Sequence, residues 1–229
     1  MNKLQKTFYI GSCRYQPLFD NRFPPRLHST REIIIFFKNY KTIDISHPDA
    51  NTIWGDIAHP DVIEQSKCFL KNIESTFNNI EGVVIEVCTR KVYMHKSIPL
   101  NAFFVEFYKT KSADYKLITL TNNALIKELM FIKNYLLEEY GIRKLAVIPH
   151  VNLPLRSNNN LLSERLSLCK ALEKACIRYN IDYIDPARII FKKTNTTPYL
   201  EDVLWDSFHY SNYDVLQLIL DYLRELGWE

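Results

Sequence analysis

Glycine is scarce in this chain, with five in 229 residues. Gly11 closes a short apolar run, and no second glycine follows at phosphate-loop spacing, which excludes a P-loop. Cysteine occurs five times, at Cys13, Cys68, Cys88, Cys169 and Cys176, yet never as a CxxC pair. Neither a disulfide framework nor a cysteine zinc site is indicated. No hydrophobic run approaches the length of a membrane span, so no membrane partner is expected. The apolar stretch near the N-terminus is too short for a secretory signal. An excess of one charge sign is also missing: the formal net charge is +3. That near-balance gives no reason to expect a nucleic-acid partner. Internal repeats and interdomain linkers are absent. The expectation is a reduced, cytoplasmic, single domain over residues 1–229.

What is present suits a folded enzyme-sized domain. Apolar residues make up 47% of the chain and aromatics 13%, enough to bury a full core and to exclude a disordered class. Thr7 to Ile10 reads as a first buried strand. Ser29 and Glu32 form a capping-box pair ahead of an apolar run, so a helix starts there. Lys41 to Ser46 reads as a second strand, and residues 61–79 as an amphipathic helix. "GVVIEVCTRKVY" (82–93) is the strongest strand, apolar enough to be covered on both faces. Residues 94–123 read as an insertion or hairpin. A helix through Leu125, Leu129, Ile132 and Leu136 ends before Gly141. "RKLAVIPHVNL" is the next strand, and a helix through Leu162, Leu166, Cys169, Leu172 and Cys176 puts both cysteines in the core. "IDYIDPARII" reads as a fifth strand, and a last helix, with Ser211 and Asp214 as its cap, runs to Gly227. Strands alternating with helices predict an α/β fold with a parallel sheet. Ligand sites in such sheets lie beyond the carboxyl ends of the strands. Gly11 to Arg14, Cys88 to Lys91 and His150 to Asn152 are therefore the exits to watch.

The chemistry-bearing residues lie at the two ends of the chain. "GSC" places Ser12 and Cys13 side by side where the first strand stops. Near the C-terminus, Asp206 precedes His209 by three residues. An Asp so placed can orient the imidazole, leaving its other nitrogen to take a proton from a hydroxyl or thiol. The triplets His47-Pro48-Asp49 and His59-Pro60-Asp61 are explained by turn and helix-start chemistry, so no metal and no cofactor is expected. Arg14, Arg22, Arg26 and Arg31 form a charged loop region, and Arg14 is the candidate among them to meet an anionic substrate group.

These two blocks, in this order on this layout, resemble the SGNH (GDSL-type) hydrolase superfamily, and the "GSC" block resembles its GSCFA-like branch, found among polysaccharide-associated proteins. The resemblance implies a three-layer, flavodoxin-like sandwich with a mostly parallel five-stranded sheet. It implies an esterase or O-acyltransferase acting on a small-molecule or glycan ester. Gly11 aligned with the family glycine puts Ser12 on the family Asp position and Cys13 on that of the nucleophilic serine. Either residue remains a candidate to attack. Gly55 then corresponds to the oxyanion glycine. The family asparagine after the third strand is missing, so Thr89 or Arg90, or else Asn152, would supply that donor. The second reading is a catalytically degenerate domain of the same fold that binds glycan or protein.

Overall fold

The computed structural model describes residues 3–12, 14–19, 27–39, 73–95, 98–100, 115–204 and 213–229. The chain begins with β1 (Thr7–Ile10), a 3-10 turn (Gln16–Leu18) and α1 (Thr30–Asn39). Next come β2 (Gly82–Val87), β3 (Lys91–His95), β4 (Ile98–Leu100) and β5 (Tyr115–Thr119). Then follow α2 (Asn122–Tyr140), β6 (Lys144–Pro149), α3 (Ser163–Tyr179) and β7 (Asp182–Tyr183). The chain ends with α4 (Pro186–Thr194), the single turn α5 (Leu200–Val203) and α6 (Tyr213–Glu225). A helical stretch at 73–78 precedes β2.

Strands β1, β2, β6 and β7 form a parallel sheet in the order β1-β2-β6-β7. Every residue of β1 and β2 is buried, because both faces of the sheet are covered. Alternation along the strands sends Phe8, Ile10, Val83, Ile85 and Val87 to one face, where they pack with α1, α2 and α3. Tyr9, Val84, Ala146 and Ile148 point the other way, against α6, Ile189 of α4 and Trp228. The result is a three-layer α/β architecture. Each fully buried aliphatic or aromatic side chain in such layers contributes about 1.5–3 kcal/mol. The strand expected at Lys41–Ser46, most of the helix expected at 61–79 and the Ser211 cap lie outside the described residues.

Local signals produced several of the boundaries. Glu32 Oε2 accepts from the Ser29 amide at 2.7 Å, and Ser29 Oγ accepts from the Glu32 amide at 3.3 Å, the reciprocal capping box. Helix α2 starts on Thr121, whose side chain accepts from the Ala124 amide, and stops at Gly141 with φ 69°. Glu128 on α2 then ties to α1 through Thr30 Oγ1 at 2.5 Å and Arg31 Nε at 2.6 Å.

Two strand expectations need correcting. The stretch 82–93 is two strands in different sheets. Both the Cys88 and Thr89 amides donate to the His28 carbonyl, at 2.8 and 3.2 Å. That diversion ends the parallel ladder, and Lys91 onward enters an antiparallel sheet of order β4-β3-β5. The expected fifth strand "IDYIDPARII" contributes only Asp182–Tyr183 to the sheet. Asp185 accepts from the Ala187 and Arg188 amides and Pro186 occupies the first helical turn, so α4 begins where the strand was expected to continue.

Candidate active site

The three expected strand exits meet at the carboxyl ends of β1, β2 and β6. Their junction is Glu86, fully buried in β2. The sheet register pairs Ile10 with Ile85, so Gly11 and Glu86 are the next residues out along their strands. A Cβ on Gly11 would come within 2.5 Å of both Glu86 Cβ and the Tyr9 hydroxyl. The glycine is there for close approach between the two strand ends.

The carboxylate of Glu86 grips the turn after β1. Its Oε2 accepts from the Tyr9 hydroxyl at 2.6 Å, the Ser12 hydroxyl at 2.5 Å and the Ser12 amide at 2.9 Å. Its Oε1 accepts from Arg14 Nη1 at 2.6 Å, in an ion pair whose side chains are 2% and 0% exposed. Ser12 Oγ in turn accepts from the Arg14 amide at 3.2 Å. Burial pushes the Glu86 pKa up, but the Arg14 charge and the hydrogen bonds from Ser12 and Tyr9 outweigh it, and the net shift is downward. Glu86 is thus a carboxylate at neutral pH. Burial, then the Glu86 charge, pushes the Tyr9 and Cys88 pKa values well up, so both stay protonated.

His150, just past β6, completes the network. Arg14 Nη2 lies 2.9 Å from His150 Nε2. A guanidinium only donates, so Nε2 is the accepting nitrogen and the proton sits on Nδ1. Nδ1–H then donates to the Val151 carbonyl at 3.1 Å. Burial and the charges of Arg14 and Arg165 lower the His150 pKa to about 2. This neutral, doubly bonded imidazole has no free lone pair for a nucleophile's proton.

Neutral burial of His150 has a consequence for stability. The unfolded chain takes up a proton on this residue below about pH 6.5, while the folded chain resists protonation down to about pH 2. Stability from this group is therefore fully present above about 6.5 and falls as the pH drops below it, by up to about 1.4 kcal/mol per pH unit. Urea denaturation at pH 7.5, 6 and 5 checks this. His150→Gln is expected to flatten the profile over that range, and an unchanged slope would refute the assignment.

Other expected site residues sit as follows. Thr89 Oγ1 accepts from the Lys91 amide at 2.9 Å, which shapes the turn after β2. Arg90 bridges two helices, with Nη1 to Asn122 Oδ1 at 2.5 Å and Nη2 to the Ser167 carbonyl at 2.7 Å. Asn152 Oδ1 is buried with no hydrogen-bond partner. Cys176 is fully buried, as expected for the core. Cys169 is half-buried, with its thiol 3.7 Å from the His150 carbonyl. Arg31 is engaged by Glu128, away from Glu86. Cys13, Gly55, Asp206, His209, Arg22, Arg26 and both His-Pro-Asp triplets lie outside the described residues. No group of three potential metal ligands occurs among the described residues, and no described helix is long and apolar enough to cross a membrane.

The structure thus brings Ser12 and Arg14 together with Glu86, Tyr9 and His150. Of these, Glu86 was missed in the sequence. A charged residue inside the otherwise apolar "GVVIEV" was the available signal, because a buried carboxylate requires a partner.

No family model matches this chain, and no curated protein does. Among solved structures the chain is similar to an Axe2 variant, an acetyl-xylooligosaccharide esterase from Geobacillus stearothermophilus, at 8% identity and TM-score 0.48, covering 100% of this chain and 97% of that one. It is similar to an alpha/beta hydrolase from the metagenome of Lake Arreo, Spain, at 10% identity and TM-score 0.45, over 99% and 97% of the two chains. A GDSL-like lipase from Parabacteroides merdae ATCC 43184 is a further similar structure, at 7% identity and TM-score 0.46 over 100% and 98%.

Proposed function

We infer that the protein is an SGNH-type ester hydrolase or O-acyltransferase for a carbohydrate-like substrate, with Cys13 as the attacking residue. The observation that carries this reading is the hold of Glu86 on Ser12 and Arg14, the two neighbours of Cys13. A residue flanked by two anchored neighbours at the carboxyl end of a parallel sheet has the fixed placement that a near-attack geometry needs. Ser12 is the poorer candidate. Its hydroxyl donates to Glu86 and accepts from the Arg14 amide, and a carboxylate with a lowered pKa is a weak base for it.

In this mechanism the Cys13 sulfur attacks the ester carbonyl carbon while His209 takes the thiol proton. Asp206 orients His209 and stabilises the imidazolium. The oxyanion is met by the Cys13 amide, Gly55 and a group from Thr89-Arg90, with Arg14 and Asn152 on the substrate side. Collapse breaks the ester C–O bond, and the leaving alkoxide takes the proton from His209. Water or a second hydroxyl then attacks the thioester carbonyl, giving up its proton through His209 and restoring the thiol. Neutral His150 is excluded as the base because its Nε2 accepts from Arg14.

The test is p-nitrophenyl acetate turnover by the full chain. Wild type is expected to release p-nitrophenolate above buffer, and His209→Ala to lose about 100-fold or more. A wild type no faster than buffer would overturn the reading in favour of a glycan- or protein-binding domain.

A further inference from the structure

Arg165, in the first turn of α3, is half-buried. Its Nη1 donates to the Val151 carbonyl at 3.2 Å. Among the described residues it has no carboxylate within ion-pair distance. Its sequence neighbour Glu164 is engaged by Lys91 at 3.2 Å on the exposed side. Glu86, the carboxylate buried at these strand ends, is already neutralised by Arg14. Arg165 also feels the positive charge of Arg14 as well as burial, and the two lower its pKa to about 10. His150 and the Cys88 and Cys169 thiols stay neutral here. The carboxyl ends of β2 and β6 therefore hold one positive charge in excess, in a setting where an uncompensated charge is costly.

A second unmet requirement lies one residue along the chain from the carbonyl that Arg165 touches. Asn152 Oδ1 is buried and lacks a donor. Buried amide oxygens are almost always satisfied, so this one calls for a hydroxyl or amine from outside the described residues. An anion beside a hydroxyl donor meets both needs at once. A neutral sugar would leave the guanidinium unmatched, and a bare anion would leave the amide oxygen unmatched.

We propose that the exit of β6 is a subsite for an acidic sugar, with Arg165 pairing with its carboxylate or phosphate group and Asn152 accepting from a neighbouring hydroxyl. The choice of a sugar rests on the carbohydrate-ester reading above; the anion and the hydroxyl rest on Arg165 and Asn152. Guanidinium suits both oxyanions because its planar N–H groups match them in pairs.

Calorimetric titration of the full chain with ester-free ligands at low ionic strength tests this. Glucuronate and glucose 6-phosphate are the acidic probes, whose comparison separates carboxylate from phosphate; glucose and inorganic phosphate are the controls. At least one acidic sugar is expected to bind ten-fold or more tightly than either control. Arg165→Gln, with an unchanged circular dichroism spectrum, is expected to erase the advantage over glucose, and Arg165→Lys to keep part of it. Asn152→Ala is expected to weaken both sugars a few-fold and leave inorganic phosphate unaffected. A merely structural Arg165 would alter stability without altering this selectivity. No binding of either acidic sugar, equal affinity for glucose, or insensitivity to Arg165→Gln would overturn the proposal. Inorganic phosphate binding as tightly as the sugars would mean an adventitious ion only. Ester turnover is not read here, so binding without turnover fails only the hydrolase reading, and turnover without acidic-sugar preference fails only this one.

Discussion

Glu86→Ala is expected to destabilise the fold by about 3–5 kcal/mol, the range for breaking a buried ion pair from one side. The substitution leaves the Arg14 guanidinium buried without a counter-charge. It also removes the acceptor for the Tyr9 hydroxyl and for the Ser12 amide and hydroxyl. A domain with a total stability of about 5–15 kcal/mol would lose a large share of it. Urea denaturation at pH 7 measures the loss. Arg14→Met is expected to be nearly as damaging, because it strands the carboxylate instead. The Glu86→Leu/Arg14→Met pair is expected to cost clearly less than the two single losses added, since removing both charges removes the uncompensated one. Wild-type stability in Glu86→Ala would refute the network as described. The sign with pH follows from the lowered Glu86 pKa. This carboxylate's contribution is present above its unfolded pKa and disappears as the pH falls through the lower folded value.

Cys13→Ala is expected to reduce ester turnover to the buffer rate, whereas Ser12→Ala is expected to retain measurable turnover. The contrast follows from what each side chain does in the turn. Cys13 offers the thiol, which forms its thiolate far more readily than a hydroxyl ionises. Ser12 links Glu86 to the Arg14 amide, so removing its hydroxyl loosens the mount and leaves the thiol in place. Misplacement of that kind costs about 10- to 100-fold in kcat. Iodoacetamide gives an independent readout: alkylation should abolish activity in wild type, and Cys13→Ala should be spared modification at this position. Full activity in Cys13→Ala combined with its loss in Ser12→Ala would transfer the attack to Ser12.

Helix boundaries were legible where the determining hydrogen bonds are local. The Ser29–Glu32 box spans three residues, and the left-handed stop at Gly141 depends only on the turn before it. The layering was legible as well, because continuous apolar character in "TFYI" and "GVVIEV" demands cover on both faces. Strand ends were less so. The break after Val87 depends on the His28 carbonyl, about sixty residues earlier in sequence, and no periodicity within 82–93 announces it. At 184–187 the Asp-Pro pair was a readable helix start that the apolar content of "IDYIDPARII" obscured.

The sequence by itself determined the α/β class, most helix ends and the three strand exits where polar residues gather. It also presented "GSC" as the residue set worth testing. Only the tertiary structure decided what holds that turn. Ser12 and Glu86 are 74 residues apart in sequence, and Arg14 and His150 are 136 apart. They meet because parallel pairing of β1 with β2, and of β2 with β6, aligns their carboxyl ends. Gly11 shows the difference most directly. In the sequence it marks the end of an apolar run, while in the fold it is the gap into which Tyr9 and Glu86 fit. Local preference can place a turn, but the partner of a buried charge is chosen by strand register, which acts over the whole chain.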